Sequence, residues 1–352
     1  MTLAVLPWLS PAPAHADSVR DREWHLTALD VLRAHQSSQG EGVLVAVADT
    51  GVDDRHGELA GAVIAGKEFG EGASGDGRAA TDGHGTAMAG LIAGRGLPNG
   101  AGVLGIAPKA TILPVQTIHG DFGGAPTALA AGIAWAVSKG ARVLCVAAGT
   151  SEYPEMRQAI DSALRADVVV VAGAGNTPKD TGVAFPARLP GVLAVGGTDR
   201  AGNHAPISAT GPEIALVAPA VDIISTGTFG KYVTSQGTSN ATAIVAGVVA
   251  LVRAKYPTLS ASEVVRRLTA TATDRGRPGR DDEYGYGIVN PVAALTASIG
   301  PPAPAASSPA DRAGPGDGSG RLPVVVWVLL GCGTVAACTL LLLLLRSRRR
   351  SE

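Results

Sequence analysis

Cysteine and aromatic residues are scarce in this sequence. The 352 residues include only three cysteines, Cys145, Cys332 and Cys338, and none of them has a CxxC or other metal-ligand spacing. This pattern excludes a disulfide framework and a cysteine-based metal site. Aromatic residues make up 4% of the chain, and the formal net charge at pH 7 is -1. Because nucleic-acid-binding proteins need a basic surface or stacking platforms, we expect no nucleic acid among the partners.

Charged residues are absent from one long segment near the C-terminus. Residues 323–345 contain no Asp, Glu, Lys or Arg, and a helix of that length crosses a bilayer core of about 30 Å at about 1.5 Å per residue. A basic cluster follows directly, and the positive-inside rule places this tail, residues 346–352, in the cytoplasm. The pattern predicts one transmembrane helix in the cell membrane, with the preceding domain on the extracytoplasmic side.

The N-terminus carries a second targeting pattern. Residues 1–16 combine a short apolar run with an A-x-A sequence that a signal peptidase could cleave. The usual basic start is missing, and a disordered tail is the alternative. Export is favoured because the C-terminal segment also places the domain outside. Residues 17–42 are then an N-terminal extension, and residues 299–322, rich in Pro, Ala, Gly and Ser, form a stalk that cannot build a core.

The remaining residues, 43–298, alternate between two patterns. Short runs rich in Val, Ala and Leu end at Gly, Asp or Asn, and helical patterns separate them. This alternation predicts an α/β domain of three layers, with a mostly parallel central sheet between helices. The predicted strands are 42–52, 110–118, 141–149, 167–176 and 191–199, and the predicted helices are 84–94, 127–140, 154–166 and 260–272, with another that starts near Ser239.

The start of that last helix is unusual. The stretch 233–252, VTSQGTSNATAIVAGVVALV, changes abruptly from polar and Gly-rich to apolar. A serine at a helix N-terminus lies where the helix dipole and free backbone N–H groups favour negative charge, which suits a nucleophile. The alternative is that Thr238 or Ser239 only caps the helix. The rest of the chain has to decide between these interpretations.

Three other positions could complete a site around Ser239. Asp49 ends the first predicted strand in ADTGV, His84 opens a helix in DGHGT, and Asn176 ends the fourth strand in GAGN. Each motif alone is explained by an ordinary turn or loop. Together they supply what a hydroxyl needs to attack an amide carbonyl: a base, a group that orients the base, and an oxyanion donor. An α/β-hydrolase esterase would instead need a G-x-S-x-G elbow followed by Asp and then His.

These four contexts resemble the subtilisin-like serine peptidases, which share the order Asp, His, Ser. The resemblance implies a subtilisin-like fold in which Ser239 is the nucleophile, His84 the general base and acid, and Asp49 the group that orients His84. It also implies that the Asn176 amide and the backbone N–H of Ser239 form the oxyanion hole. The similarity covers about residues 22–297 and includes the segments 102–116, 184–199 and 284–295.

The same resemblance implies where substrate binds. An extended substrate would lie between Ala147-Ala148-Gly149 and Gly173-Ala174-Gly175. The family usually has Ser-Leu-Gly at the first of these edges, so backbone pairing is retained while the pocket wall changes. These small residues favour a small or apolar residue before the cleaved bond. Two other positions depart from the family: Asn240 replaces an apolar neighbour of the nucleophile, and Ala243 replaces a common proline.

Residues 22–43 resemble the N-terminal extension of the mycosins, the membrane-anchored subtilisin-like proteases of actinobacterial type VII secretion. Mycosins also combine a signal peptide, one catalytic domain, a Pro-rich stalk and a C-terminal membrane helix. The resemblance implies a membrane-anchored serine endopeptidase that processes secreted proteins or peptides near a type VII secretion complex. The alternatives are a general anchored subtilisin-like protease and a chiefly structural component of the secretion complex.

No motif indicates a metal or a cofactor. The family often uses structural calcium, and two acidic groups could be considered as ligands: Asp53 and Asp54 near Glu58, and Asp281 and Asp282 near Glu283. Such groups are more often solvated surface charge than calcium ligands. We therefore expect neither a metal site nor a cofactor.

Overall fold

The computed structural model describes residues 19–80, 82–119 and 126–300. The chain divides between Ile299 and Gly300 into two units, and the described helices and strands all belong to the first. The predicted signal peptide (1–16) and transmembrane helix (323–345) lie outside the described residues. Within the described ranges, no helix combines the length and apolarity needed to cross a membrane.

The described part of the chain contains eleven strands and eight α-helices. The strands are β1 (Leu44–Asp49), β2 (Lys67–Glu68), β3 (Arg95–Leu97), β4 (Ala101–Leu104), β5 (Thr111–Gln116), β6 (Val143–Val146), β7 (Val169–Gly173), β8 (Leu193–Thr198), β9 (Ile214–Pro219), β10 (Ile223–Thr226) and β11 (Tyr232–Ser235). The helices are α1 (Trp24–Ala28), α2 (Val31–His35), α3 (His84–Ala93), α4 (Pro126–Ser138), α5 (Pro154–Arg165), α6 (Thr238–Lys255), α7 (Ala261–Ala270) and α8 (Pro291–Thr296).

Seven strands form one parallel sheet in the order β2-β5-β1-β6-β7-β8-β9. Strand β1 lies between β5 and β6, with Val45 opposite both Ile112 and Val143. In a parallel sheet the carboxyl ends of neighbouring strands meet at one edge. This edge therefore brings together the residue that ends β1 and the loops that follow β6 and β7.

Helices cover both faces of the sheet. Alternate residues of β1 point to opposite sides: Val45 and Val47 pack in one core with α3 and α6, while Ala46 and Ala48 pack in the other with α4 and α5. Both faces are thus buried, which explains the continuous apolar runs in the sequence. The predicted α/β architecture with a mostly parallel central sheet is confirmed.

Several short elements were not predicted from the sequence. They are β2, β9, the two antiparallel hairpins β3–β4 and β10–β11, and the helices α1, α2 and α8. Each contains two to six residues, which is too few to show a clear helical or strand period in the sequence. Strand β7 also ends at Gly173, before the predicted end at Asn176.

Three members of the two acidic groups are not solvated surface charge, so that interpretation was wrong for them. Asp53, Glu58 and Asp281 are buried. Each accepts hydrogen bonds from protein donors, which replace water as the partners of a buried carboxylate. The donors include the backbone N–H of Phe229 for Asp53, the Tyr232 hydroxyl and the Val103 N–H for Glu58, and the N–H groups of Arg277, Glu283 and Tyr284 for Asp281. Among the described residues, no cluster of His, Cys, Asp and Glu could hold a metal ion.

The N-terminal extension packs against the domain through polar contacts. The Arg20 guanidinium lies 2.8 Å from Glu23, and its Nε donates to the Gly102 carbonyl at 3.1 Å. The buried Glu23 carboxylate accepts the N–H of Leu104 at 3.1 Å. The Trp24 indole N–H donates to a carbonyl just before β10. The extension therefore ties the β3–β4 hairpin to the segment that leads into β10.

Glu58 allows a test of how much a buried carboxylate contributes to stability. Burial raises the pKa of Glu58, but contacts with His56 and Tyr232 outweigh it and bring the pKa down to about 2. A carboxyl whose pKa is lower in the folded state stabilises the fold above its unfolded pKa, and this contribution is lost as pH falls through the folded pKa. We expect Glu58→Gln to lower the free energy of unfolding by about 1–3 kcal/mol at pH 7.

Denaturant unfolding of the parent and Glu58→Gln proteins at pH 7 and at decreasing pH would measure this difference. The gap should narrow as pH falls toward 2, because the parent carboxyl becomes protonated. Glu41→Gln is the matched control, since Glu41 forms an exposed ion pair with Lys109 and should contribute less than about 1 kcal/mol. A gap that stays constant with pH would contradict the electrostatic explanation.

Candidate active site

Asp49 and His84 form a hydrogen-bonded pair at the carboxyl edge of the sheet. Asp49 is the last residue of β1 and is fully buried. Its Oδ1 accepts the Nδ1–H of His84 at 2.7 Å and the backbone N–H of Thr50 at 2.8 Å. A carboxylate can only accept here, so Nδ1 of the imidazole carries the proton and Nε2 remains to accept another. The His84 side chain keeps 40% of its surface exposed, so a substrate can reach the ring that carries Nε2.

Close packing at the start of α3 fixes this pair. A Cβ on Gly85 would lie 2.3 Å from the Gly51 carbonyl oxygen, so only glycine allows α3 to approach the turn after β1. The Asp82 carboxylate accepts the His84 backbone N–H and the Thr50 hydroxyl, both at 2.7 Å. The Thr50 oxygen in turn accepts the Gly85 N–H at 3.0 Å. Sequence reasoning missed Asp82 and Thr50, although an Asp just before a helix is a known start signal.

Two carboxylates influence the charge on His84. The negative charge of Asp49 is the largest cause that raises the pKa of His84, to about 9. Burial of the ring opposes this shift, while the hydrogen bond to Asp49 and the charge of Asp82 add to it. The site therefore stabilises the imidazolium form. A base of this kind holds strongly any proton that it takes from a hydroxyl.

Ser239 lies in the first turn of α6. The N-cap of this helix is Gly237, which has no side chain to accept a helix N–H, so Thr238 and Ser239 do not serve merely as caps. The Ser239 hydroxyl donates to the Ala147 carbonyl at 2.7 Å. Among the described residues it forms no hydrogen bond with His84. A proton transfer to Nε2 of His84 therefore requires rotation of the serine side chain.

Asn176 lies beside the start of α6. Its Oδ1 accepts the backbone N–H of Thr238 at 2.9 Å, which directs the two N–H groups of the amide away from that contact. Gly237 packs against this amide, because a Cβ there would lie 3.5 Å from both Nδ2 and Oδ1. The amide is thus adjacent in space to the residues that precede Ser239, as an oxyanion donor must be.

The two predicted substrate edges follow neighbouring strands. Ala147, Ala148 and Gly149 follow β6, and exposure increases from the buried Ala147 to the exposed Gly149. In the other segment, Gly173, Ala174 and Gly175 at the end of β7, the backbone of Ala174 is already paired. Its N–H donates to the Val195 carbonyl at 2.9 Å, and its carbonyl accepts the Ala184 N–H at 2.7 Å. The second segment is therefore a wall of the cleft, and the first offers the more open backbone edge.

The polar residue that follows Ser239 has hydrogen-bond partners inside the protein. Asn240 is buried, its Nδ2 donates to the Ala220 carbonyl at 3.3 Å, and its Oδ1 accepts the Ser235 hydroxyl at 3.1 Å. These bonds satisfy an amide that would otherwise be costly to bury. They also connect the first turn of α6 to the end of β11 and to the residue after β9.

Comparison with known proteins gives consistent results. The Subtilase family (peptidase S8) matches residues 40–287. Subtilisin DY of Bacillus licheniformis is 38% identical over 265 residues, which cover 74% of this chain and 93% of that protein. A thermostable alkaline protease of Halalkalibacterium halodurans is 38% identical over 271 residues, covering 76% of this chain and 72% of that protein.

Two groups of solved structures share the fold. MycP1 from Mycobacterium smegmatis superposes with a TM-score of 0.72 at 30% sequence identity, covering 81% of this chain and 88% of that chain. The MycP3 protease from the type VII (ESX-3) secretion system superposes with a TM-score of 0.67 at 32% sequence identity, covering 78% of this chain and 88% of that chain. The family match, the relatives and the fold agree, and the chain belongs to the subtilase family as a subtilisin-like serine endopeptidase with mycosins as structural neighbours.

Proposed function

We propose that Ser239 is the nucleophile of this peptidase and that His84 and Asp49 activate it. The observation that carries the proposal is the 2.7 Å hydrogen bond from Nδ1 of His84 to the buried Asp49, which leaves Nε2 as the proton acceptor. When the Ser239 hydroxyl turns from the Ala147 carbonyl to Nε2, His84 takes its proton as the oxygen attacks the substrate carbonyl. Asp49 stabilises the resulting imidazolium without taking the proton.

The tetrahedral intermediate carries a negative oxygen, which needs donors. The Nδ2 amide of Asn176 and the backbone N–H of Ser239 supply them. His84 then gives its proton to the leaving amine, which departs as the acyl-enzyme forms. Water, activated by His84, repeats the attack and releases the acyl part of the substrate. Both half-reactions use the same base and the same donors.

Substrate is a polypeptide that lies extended along Ala147-Ala148-Gly149. The exposed Gly149 presents a backbone edge to which a strand can add by hydrogen bonding. A Cβ on Gly149 would lie 3.6 Å from the Ala184 side chain, at van der Waals contact. The small residues along this edge, Ala147, Ala148 and Gly149, support cleavage after small or apolar residues.

Labelling with a fluorophosphonate tests the assignment of the nucleophile. We expect the parent protein to be labelled at one serine and the Ser239→Ala variant to remain unlabelled, since only an activated serine reacts with this probe. Labelling of the folded Ser239→Ala variant would contradict the assignment.

Kinetics test the role of Asn176. Asn176→Ala should lower kcat for a chromogenic peptide by about 10²–10³-fold while KM changes little. Asn203→Ala, an amide in an exposed turn after β8, is the control.

The acidic limb of the pH–rate profile tests the role of His84. Only the neutral imidazole can accept the serine proton, so kcat/KM should rise with pH as His84 loses its proton. Because Asp49 and Asp82 raise the pKa of His84, this limb should lie above pH 6.5, toward about 9. Asp82→Asn keeps an acceptor for the His84 N–H but removes a charge, so it should move the limb to lower pH.

The control for this shift is Asp54→Asn, which removes a carboxylate paired with Arg78. Its limb should coincide with that of the parent protein. The acidic limb of the Asp82→Asn variant could instead stay at the pH of the parent limb or move to higher pH. Either result would show that the rate does not follow the titration of His84.

The site of action is the extracytoplasmic face of the cell membrane. Residues 1–16 direct export, residues 323–345 anchor the chain, and the catalytic domain processes proteins exported by a type VII secretion system. The charge-free C-terminal segment with its basic tail supports the anchor. The chain resembles the structures of MycP1 and of MycP3, a protease from the type VII (ESX-3) secretion system. This likeness supports a type VII secretion complex as the partner.

Complementation separates this activity from a chiefly structural role in the secretion complex. In cells that lack the chain, the parent protein should restore both secretion and the trimming of exported substrates, and it should fractionate with membranes. Ser239→Ala should fractionate in the same way but restore no trimming. Full restoration of trimming by Ser239→Ala would exclude the proteolytic role, and secretion restored by it without trimming would assign a second, structural function.

A further inference from the structure

Asp180 holds both backbone groups of Asn176. Its Oδ2 accepts the Asn176 N–H at 2.7 Å, and its own N–H donates to the Asn176 carbonyl at 2.9 Å. The two bonds close a ring in the loop after β7. The neighbours have other partners: the N–H of Thr177 donates to the Ile207 carbonyl at 2.8 Å. Pairing with Ser208 holds the backbone on either side of Asn176, and Asp180 supplies the hydrogen bonds to the N–H and the carbonyl of Asn176 itself.

The residue before Asn176 is shaped for this contact. A Cβ on Gly175 would lie 2.7 Å from Oδ2 of Asp180, closer than non-bonded atoms approach. The φ angle of Gly175 is +102°, a backbone conformation that other residues rarely adopt. Glycine thus lets the carboxylate lie directly against the backbone. The motif GAGN and the aspartate four positions later form one structural unit.

The backbone contact determines where the amide of Asn176 points. The direction of the Cα–Cβ bond follows from φ and ψ, which Asp180 restrains. The far end of the side chain is fixed separately, because Oδ1 accepts the Thr238 N–H at 2.9 Å. With both ends of the side chain fixed, the direction in which the Nδ2 group points is also fixed. A donor acts on an oxyanion only when it lies within about 2.7–3.1 Å of the developing charge, so a small displacement removes its effect.

We propose that Asp180 is a positioning residue for the oxyanion donor and acts on catalysis only through Asn176. The inference rests on the proposed role of Asn176. Asp180 needs only an acceptor oxygen for this task, since its partner is a backbone N–H. An asparagine at position 180 offers such an oxygen without the charge.

Steady-state kinetics with a chromogenic peptide test the proposal. We expect Asp180→Ala to lower kcat by about 10–100-fold, less than the loss of the donor itself, and to leave KM within about twofold. Asp180→Asn should retain kcat within about threefold. Asp199→Ala is the matched control, because Asp199 also accepts backbone N–H groups in a turn, those of Ala201 and Asn203, and it should change kcat by less than about twofold.

A double-mutant cycle shows whether the effect passes through Asn176. If it does, Asn176→Ala and the Asn176→Ala/Asp180→Ala protein should have the same kcat within about threefold. Additive losses would overturn the proposal, as would an Asp180→Ala protein no slower than Asp199→Ala or one affected only in KM. Thermal unfolding establishes that each variant is folded. If Asp180→Ala is not, Asp180→Ser, which removes the carboxylate but keeps a polar side chain, replaces it in every comparison.

The cycle also separates this proposal from the assignment of the site. An active Asn176→Ala protein would overturn the role of Asn176 and the positioning role together. A slow Asn176→Ala protein combined with a fully active Asp180→Ala protein would retain the oxyanion donor and overturn the role of Asp180 alone.

Discussion

The hydrogen bond between Asp49 and His84 joins the end of the central strand β1 to the start of the buried helix α3. An ionised carboxylate with no exposed surface is stable in a domain core only with donors around it. Here the donors come from the imidazole and from the backbone of Thr50. The approach that makes this possible depends on Gly85, where a side chain would collide with the Gly51 carbonyl. Sheet, helix and site therefore share one close contact.

The proposed nucleophile, Ser239, depends on a different part of the core. Helix α6 is buried from residue 240 to residue 253 and packs against the sheet along this length. Its first turn is held from three directions: by Asn176 through the Thr238 N–H, by Ala147 through the Ser239 hydroxyl, and by the Asn240 bonds to Ala220 and Ser235. The Ser239 hydroxyl is thereby held at the Ala147 carbonyl, and the proposed proton transfer to His84 requires its side chain to rotate. Catalytic geometry of this kind is set by packing before substrate arrives.

The sequence was sufficient to predict the parallel α/β fold, because buried strands and helices leave long apolar patterns. It also gave Asp49, His84, Asn176 and Ser239 as candidate site residues, since motif order is a property of the chain itself, and their catalytic roles stay a prediction. It could not show that Asp53 and Glu58 are buried. Their hydrogen-bond donors include Phe229 and Tyr232, which lie far along the chain. No local sequence pattern indicates such contacts. Asp82 was missed for a related reason: its role depends on the Thr50 hydroxyl, which a turn brings close.

Two histidine–carboxylate pairs in this domain show why geometry alone does not make a catalytic base. The nitrogen–oxygen distance is 2.7 Å both between His84 and Asp49 and between His56 and Glu58. His56, however, retains only 2% side-chain exposure, and its Nε2 contacts the Lys231 carbonyl at 3.0 Å. Nδ1 of His56 lies against the Glu58 carboxylate and Nε2 against a carbonyl, so both nitrogens face oxygens that only accept, and the ring has a structural role in the fold. His84 also has a carboxylate partner, Asp49, on one side, but its other side is open. The difference between the structural His56 and the proposed base His84 lies in the second nitrogen, and the fold determines which atoms that nitrogen meets.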